Sequence, residues 1–188
     1  MTSKAQYQNK IIVEVISKTR DKIEKIRNIS FFKYISSEDF AEAEKYISII
    51  KFKSGEDIVR EGERAGGLFI IISGVCKVIK GNVEVGKVRA EEFFGEGEIL
   101  LQSPAYATIR AESDEVEVVY MIRGGIEQLE RKNPRFTSTL YKLIAKIEMK
   151  RLLTLDREYV AVIDKLENIQ RKEELKKIRE KMFGEIKE

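Results

Sequence analysis

Phe94-Gly95-Glu96-Gly97-Glu98-Ile99-Leu100-Leu101, continued by Pro104-Ala105-Tyr106-Ala107-Thr108-Ile109-Arg110-Ala111, has the layout of a phosphate-binding turn feeding a β-strand. Gly95 and Gly97 let the backbone approach a ligand closely. The residues after Gly97 can open a short helix whose N–H groups favour an anion, and the strand from Ala107 onward walls the site. A basic side chain facing the anion is expected in such a turn, and none lies between Phe94 and Ile109.

Around this stretch, composition narrows the field. With 188 residues and 43% apolar content the chain can bury one core carrying helical attachments. The 35 basic and 32 acidic residues nearly cancel, so the balance of charge points to neither a polyanion nor an acidic substrate. Cys76 is the single cysteine and histidine is absent, which excludes a disulfide framework and any His-containing zinc site. The natural compartment is the cytoplasm. No cleavage pattern follows the apolar cluster Ile11-Ile12-Val13, and no apolar run approaches the ~20 residues of a membrane helix.

Glycine placement divides the chain. Eleven of the twelve glycines fall between Gly55 and Gly125, so tight turns are confined to the middle and the order helix, β, helix is predicted. Within the middle, Leu68-Phe69-Ile70-Ile71-Ile72 and the runs 75–79, 83–88, 107–111 and 116–122 are short, β-branched or aromatic, and separated by turn residues. Such strands build a sandwich or a barrel. Gly81-Asn82 is a candidate two-residue hairpin turn.

The flanks read as helices. Ile11, Ile12, Val15, Ile16, Ile23 and Ile26 recur at helical spacing through residues 4–27, and Ser36-Ser37-Glu38-Asp39 offers a cap for a helix running through Phe40, Ala43 and Tyr46. Between Pro134 and Gly184 there is no Gly or Pro. Apolar residues there fall at Leu140, Leu143, Ile144 and Ile147, and then at Leu155, Tyr159, Val162, Leu166 and Ile169, which alternate by four and three as a heptad seam does. Residues 150–188 interleave eleven basic with nine acidic side chains, the pattern of a solvated ion-pair face and not of a nucleic-acid stripe. The expected division is an N-terminal helix over 1–27, a domain over 28–152 and a charged helical extension over 153–188.

Three segments in order at compatible spacing, 53–63, 68–75 and 94–111, together resemble the cyclic-nucleotide-binding domain family. Lys53-Ser54-Gly55-Glu56-Asp57-Ile58-Val59-Arg60-Glu61-Gly62-Glu63 is similar to the family's opening turn, strand and turn, the second segment to the next strand with its closing glycine, and the third to the phosphate-binding cassette. The resemblance implies a mainly β fold, an eight-stranded antiparallel, jelly-roll-like β-roll with an N-terminal helix, a short cassette helix and a long C-terminal helix. It also implies a first closing helix over 124–132 and a second after Pro134.

In relatives that bind cyclic nucleotides, the cassette glutamate holds the ribose 2′-hydroxyl, cassette amides hold the phosphate, and an arginine just after the cassette proline pairs with it. By resemblance the ligand would be lined by Gly95, Glu96, Gly97, Glu98, Ile99, Ala105, Tyr106, Ala107 and Thr108. Glu96, Pro104 and Thr108 match the pattern. Ala105 stands where the arginine would be, and Tyr106 follows it in place of a small residue. Glu98 stands where relatives have a small uncharged residue. Like charges ~4 Å apart repel by about 4 kcal/mol at an effective dielectric of about 20, and a lost desolvated charge partner costs roughly 2–5 kcal/mol. Arg110, two residues past Thr108 on the same strand face, lies about 7 Å further along. Two readings of Glu98 remain, an intruder in the phosphate site or a first-turn carboxylate that complements the helix dipole and fills the anion site from within. Tyr106 is either a pocket-filling aromatic or a stacking platform for an uncharged ligand.

The expected function is a non-enzymatic regulatory or interaction module with a degenerate phosphate site. It would signal through the C-terminal helix to a second copy or a protein partner, with neither nucleic acid nor membrane as a direct partner and no cofactor. The alternative is a cAMP or cGMP sensor that uses Glu96, backbone amides and Thr108. Residues 153–188 offer no room for the winged helix-turn-helix of the catabolite-activator relatives. No nucleophile elbow, Walker-type Gly-Lys-Ser/Thr or metal-ligand cluster is present, and Cys76 reads as a buried strand residue.

Overall fold

The computed structural model describes residues 19–183. They carry eight strands, β1 Ile47–Lys53, β2 Asp57–Val59, β3 Gly67–Ser73, β4 Val75–Lys80, β5 Val83–Arg89, β6 Phe93–Phe94, β7 Thr108–Ala111 and β8 Glu115–Ile122. The helices are α1 Thr19–Arg27, α2 Ser37–Ala43, α3 Glu96–Leu100, α4 Arg123–Lys132 and α5 Pro134–Phe183, with 3-10 turns over Ser30–Tyr34 and Glu44–Tyr46. Residues 4–18, where most of the N-terminal helix was expected, lie outside the described residues.

Every strand pair is antiparallel, and two four-stranded sheets form, ordered β1-β8-β3-β6 and β2-β7-β4-β5. This is the expected β-roll. Inward-facing residues of the two sheets make the core, with Ile50 and Phe52 from β1, Phe69 and Ile71 from β3, Cys76 from β4, and Val116, Val118 and Tyr120 from β8. Phe69 anchors it, stacked on Phe94 at 4.9 Å and tilted against Tyr120 at 4.7 Å between ring centroids. Each such aromatic pair adds about 0.5–1.5 kcal/mol beyond the area it buries.

Strand β8 is buried on both faces from Val116 to Met121, because one face meets the opposite sheet and the other lies under the helices. On that second face Phe31, from the first 3-10 turn, meets Phe93 edge to face at 5.8 Å. Glu117, 6% exposed, shares the parity of Val119 and Met121 and is reached by Lys25 Nζ of α1 at 2.5 Å, which supplies the partner a buried carboxylate requires. Ser36 caps α2 by accepting the Asp39 N–H at 3.1 Å. The predicted helix through Tyr46 leaves α geometry after Ala43 and closes as a 3-10 turn.

Gly81 takes φ +57° between β4 and β5 as the hairpin reading requires, whereas Asn82 does not take positive φ. Asn133 caps α5, its Oδ1 accepting the Phe136 N–H at 3.1 Å while Nδ2 donates to the Asp39 carbonyl at 3.1 Å. Pro134 at the first helical position has no N–H to leave unsatisfied. The chain divides into two compact units, Met1–Lys142 and Leu143–Glu188. Among the described residues no helix is long and apolar enough to cross a membrane, and no group of three or more acidic, Cys or His side chains is placed to hold a metal ion.

Candidate functional site

The cassette is delivered by β6, where Phe69 pairs with Phe94 and Ile70 with Phe93. Gly95 follows with φ +89° and caps α3. A Cβ there would come within 2.4 Å of the Gly67 carbonyl oxygen, so a side chain at 95 would push the cassette off β3 as well as strain the backbone. The Gly97 carbonyl accepts the Leu101 N–H at 3.0 Å and the Ser103 N–H and hydroxyl at 3.2 Å each, which closes the helix after little more than one turn. Gln102 then turns the chain with φ +53°.

The segment after Pro104 is registered against the turn between β2 and β3. The Gly62 N–H donates to the Ala105 carbonyl at 2.9 Å, and the Ala105 N–H donates to the Glu63 carbonyl at 2.8 Å. Ala105 is packed on the core, and Arg64 follows directly in the opposing turn. Thr108 Oγ1 accepts the Glu61 N–H at 3.0 Å, which uses one of its two lone pairs.

Glu98 is 4% exposed, the most buried charged residue of the described chain. Its Oε1 receives Arg123 Nη1 at 2.9 Å and Arg64 Nη1 at 3.2 Å. Its Oε2 is enclosed and has no hydrogen-bond partner. Arg123 also donates from Nε to Glu127 at 2.7 Å, and Arg64 donates to the Gln102 carbonyl at 2.5 Å. Two guanidiniums and two carboxylates therefore balance. Hydrogen bonds first to Glu98 and then to Glu127 raise the Arg123 pKa, and burial together with the Glu98 charge pushes the Tyr120 phenol up to about 12.

The geometry agrees with the sequence on Arg110, which stands too far along its strand, and narrows the two readings of Tyr106. Arg110 is not available to the cassette, because its Nε lies 2.6 Å from Asp57 Oδ1 across the β2–β7 pair. Burial pushes the Asp57 carboxyl up, but hydrogen bonds from Arg110 and Arg60 outweigh it and hold the group below its ordinary value. Tyr106 does not fill a pocket. It is 80% exposed, with Lys80 Nζ 5.1 Å from its ring centroid and donating to its carbonyl at 2.6 Å, while Lys80 also pairs with Glu61 at 2.9 Å. Gly95, Glu96, Gly97, Glu98 and Ile99 are brought together on the cassette turn, and Ala105, Ala107 and Thr108 follow on the adjoining segment. Sequence reading missed Arg64 and Arg123. The available signal was the rule that a buried carboxylate needs a base, which does not say which of 35 it takes.

A separate groove of about 400 Å³ lies on the outer face of β4 and β7, lined by Ser54, Lys77, Ile79, Asn82, Arg110 and Glu112 among others. Lys77 there pairs with Glu84 at 3.1 Å and with Glu112 at 3.6 Å, and Arg110 is taken by Asp57.

Residues 49–133 match the family model of the cyclic nucleotide-binding domain. The chain is 32% identical over 93 residues to a cGMP-dependent protein kinase of Toxoplasma gondii, a match covering 50% of this chain and 9% of that protein. Among solved structures it is similar to a putative cyclic nucleotide-binding protein from Geobacter metallireducens, at TM-score 0.61 and 20% identity, covering 69% of this chain and 96% of that one. It is also similar to the regulatory subunit of a cAMP-independent protein kinase A from Trypanosoma cruzi bound to guanosine, at TM-score 0.53 and 23% identity, covering 61% and 42%. The Trypanosoma brucei counterpart matches at TM-score 0.52 and 21% identity, covering 61% and 44%. It is a mutant bound to cAMP in the A site, with glutamate changed to alanine and, seven and eight residues later, threonine to arginine and valine to alanine. With the fold, the cassette and the family model in agreement, residues 49–133 and the roll built on them belong to the cyclic nucleotide-binding domain family.

Proposed function

We propose that this chain is a non-enzymatic regulatory module whose pocket refuses a cyclic phosphate and takes an uncharged nucleoside. The observation that carries the reading is Glu98, a buried carboxylate in the cassette helix whose charge is answered by Arg64 and Arg123 from within the protein. With Ala105 in the arginine position, the cluster has no net positive charge left for a phosphate. The three positions changed in the trypanosome mutant that is bound to cAMP have the spacing of Glu98, Ala105 and Tyr106, none of which here is the residue that mutant carries. The enclosed Glu98 Oε2 lacks a donor, which a ligand hydroxyl would supply and a phosphate oxygen would not. Calorimetric titration of the native protein with guanosine, cAMP and cGMP tests this. Heat with guanosine alone supports the reading, and micromolar cAMP or cGMP binding that Glu96→Ala abolishes sinks it.

The output would leave through α5. Leu155, Tyr159, Val162, Leu166 and Ile169 are between 52% and 64% exposed in the single chain, and their alternate spacing fits the seam of a two-stranded coil with a second copy. The curated kinase relative supports a protein partner as the other recipient of the signal. A sensor of cAMP or cGMP is the second reading, favoured by the intact Gly95 to Gly97 turn and by Thr108 on the adjoining strand.

A further inference from the structure

Arg64 and Arg123 come from segments far apart in the chain, the turn before β3 and the first residue of α4, yet both put Nη1 on the same oxygen of Glu98. Guanidiniums present planar forks of donors that match oxyanions, and two of them converging on one oxygen is how a phosphate or a carboxylate is held. The Glu98 side chain uses this arrangement incompletely, since Oε2 is enclosed without a donor. The paired hydrogen bonds between Ala105 and residues 62 and 63 bring Arg64 beside the position that lacks its own arginine.

We propose that Arg64 and Arg123 form a two-arginine oxyanion site that Glu98 occupies as an internal ligand, and that the external group it fits is a phosphate, carried by a nucleotide or free. Glu98 thereby acts as the specificity-determining residue. Without it the cluster of Arg64, Arg123 and Glu127 carries one net positive charge where the native cluster carries none. The inference rests on the reading of Glu98 given above, with Arg64 taking over the part that a residue at 105 plays in relatives.

The test is calorimetric titration of the native protein, Glu98→Ala and Glu98→Gln with cAMP and, separately, with inorganic phosphate. Thermal unfolding of the same proteins with and without millimolar phosphate gives a second readout. Glu98→Ala should bind at least one of the two anions about tenfold or more tighter than the native protein, and be raised further in melting temperature by phosphate. Arg64→Met on the Glu98→Ala background should remove the gain. Response to cAMP alone identifies a nucleotide as the source of the phosphate, and response to both identifies the phosphate group itself. Silence of both Glu98 variants toward both anions, native binding equal to that of Glu98→Ala, or a gain that survives Arg64→Met overturns the proposal. A native protein silent toward guanosine sinks the nucleoside reading, while the anion titrations decide this one.

Discussion

Arg123, the first residue of α4, holds Nη1 2.9 Å from Oε1 of Glu98 in the cassette helix, so the cassette and the helix that closes the roll share one ion pair. Arg64 makes the longer bond to the same oxygen and is 57% exposed against 27% for Arg123. Exposed pairs are screened and contribute less. Arg123→Met should therefore lower the urea midpoint more than Arg64→Met does. Equal midpoints would mean that Glu98 does not fasten α4 to the cassette.

Asn133 joins the N-terminus of α5 to α2 through its two side-chain bonds and is 7% exposed. Asn133→Ala removes the cap, which is expected to lower stability by about 0.5–2 kcal/mol. Asn133→Asp keeps the acceptor for the Phe136 N–H but has no donor for the Asp39 carbonyl, so it should fall between the two in a urea titration.

Asp57 gives a dependence on pH. Its folded pKa lies below its unfolded value because Arg110 and Arg60 outweigh burial. A depressed carboxyl stabilises the fold above the unfolded pKa, about 3.9, and loses that contribution as pH falls through the folded value. Asp57→Asn should be less stable than the native protein at neutral pH, with the gap narrowing progressively below about pH 4. A gap that does not change across that range would remove the ion pair from the stability of the β2–β7 edge.

Cys76 is fully buried, and burial first, then the Glu112 charge, pushes its thiol up to about 12. A disulfide reagent should leave the native protein unlabelled at neutral pH and titrate one thiol in denaturant. Fast labelling of the native state would place Cys76 outside the core.

The apolar seam of α5 predicts association. The unaltered chain is expected to sediment as a dimer, and Val162→Asp or Leu166→Lys should yield monomers. An unchanged mass in either variant would move the interface elsewhere.

Much of the roll is legible in the sequence, for definite reasons. Tight turns need particular residues, so Gly74, Gly81 and Gly95 mark strand ends that β3, β4 and the cassette respect. Strand β1 was harder, because Ile47–Lys53 follows a helical turn with neither Gly nor Pro between them. Strand β6 is two residues long and has no periodicity to read. At the site, the residue types of the cassette could be read directly, but the partners of Glu98 could not. Arg64 and Arg123 stand 34 and 25 residues away, and only the pairing of the strands brings them to one oxygen. Tyr106 points outward because Lys80, on a neighbouring strand end, takes both its ring face and its carbonyl.

The most direct measurement compares cAMP and guanosine binding by calorimetry in the native protein and in Glu98→Ala/Ala105→Arg/Tyr106→Ala. If Glu98 and Ala105 exclude the phosphate, the native protein binds guanosine and gives no heat with cAMP, while the triple variant gains cAMP. Micromolar cAMP binding by the native protein, unimproved in the variant, would contradict a pocket closed to the cyclic phosphate.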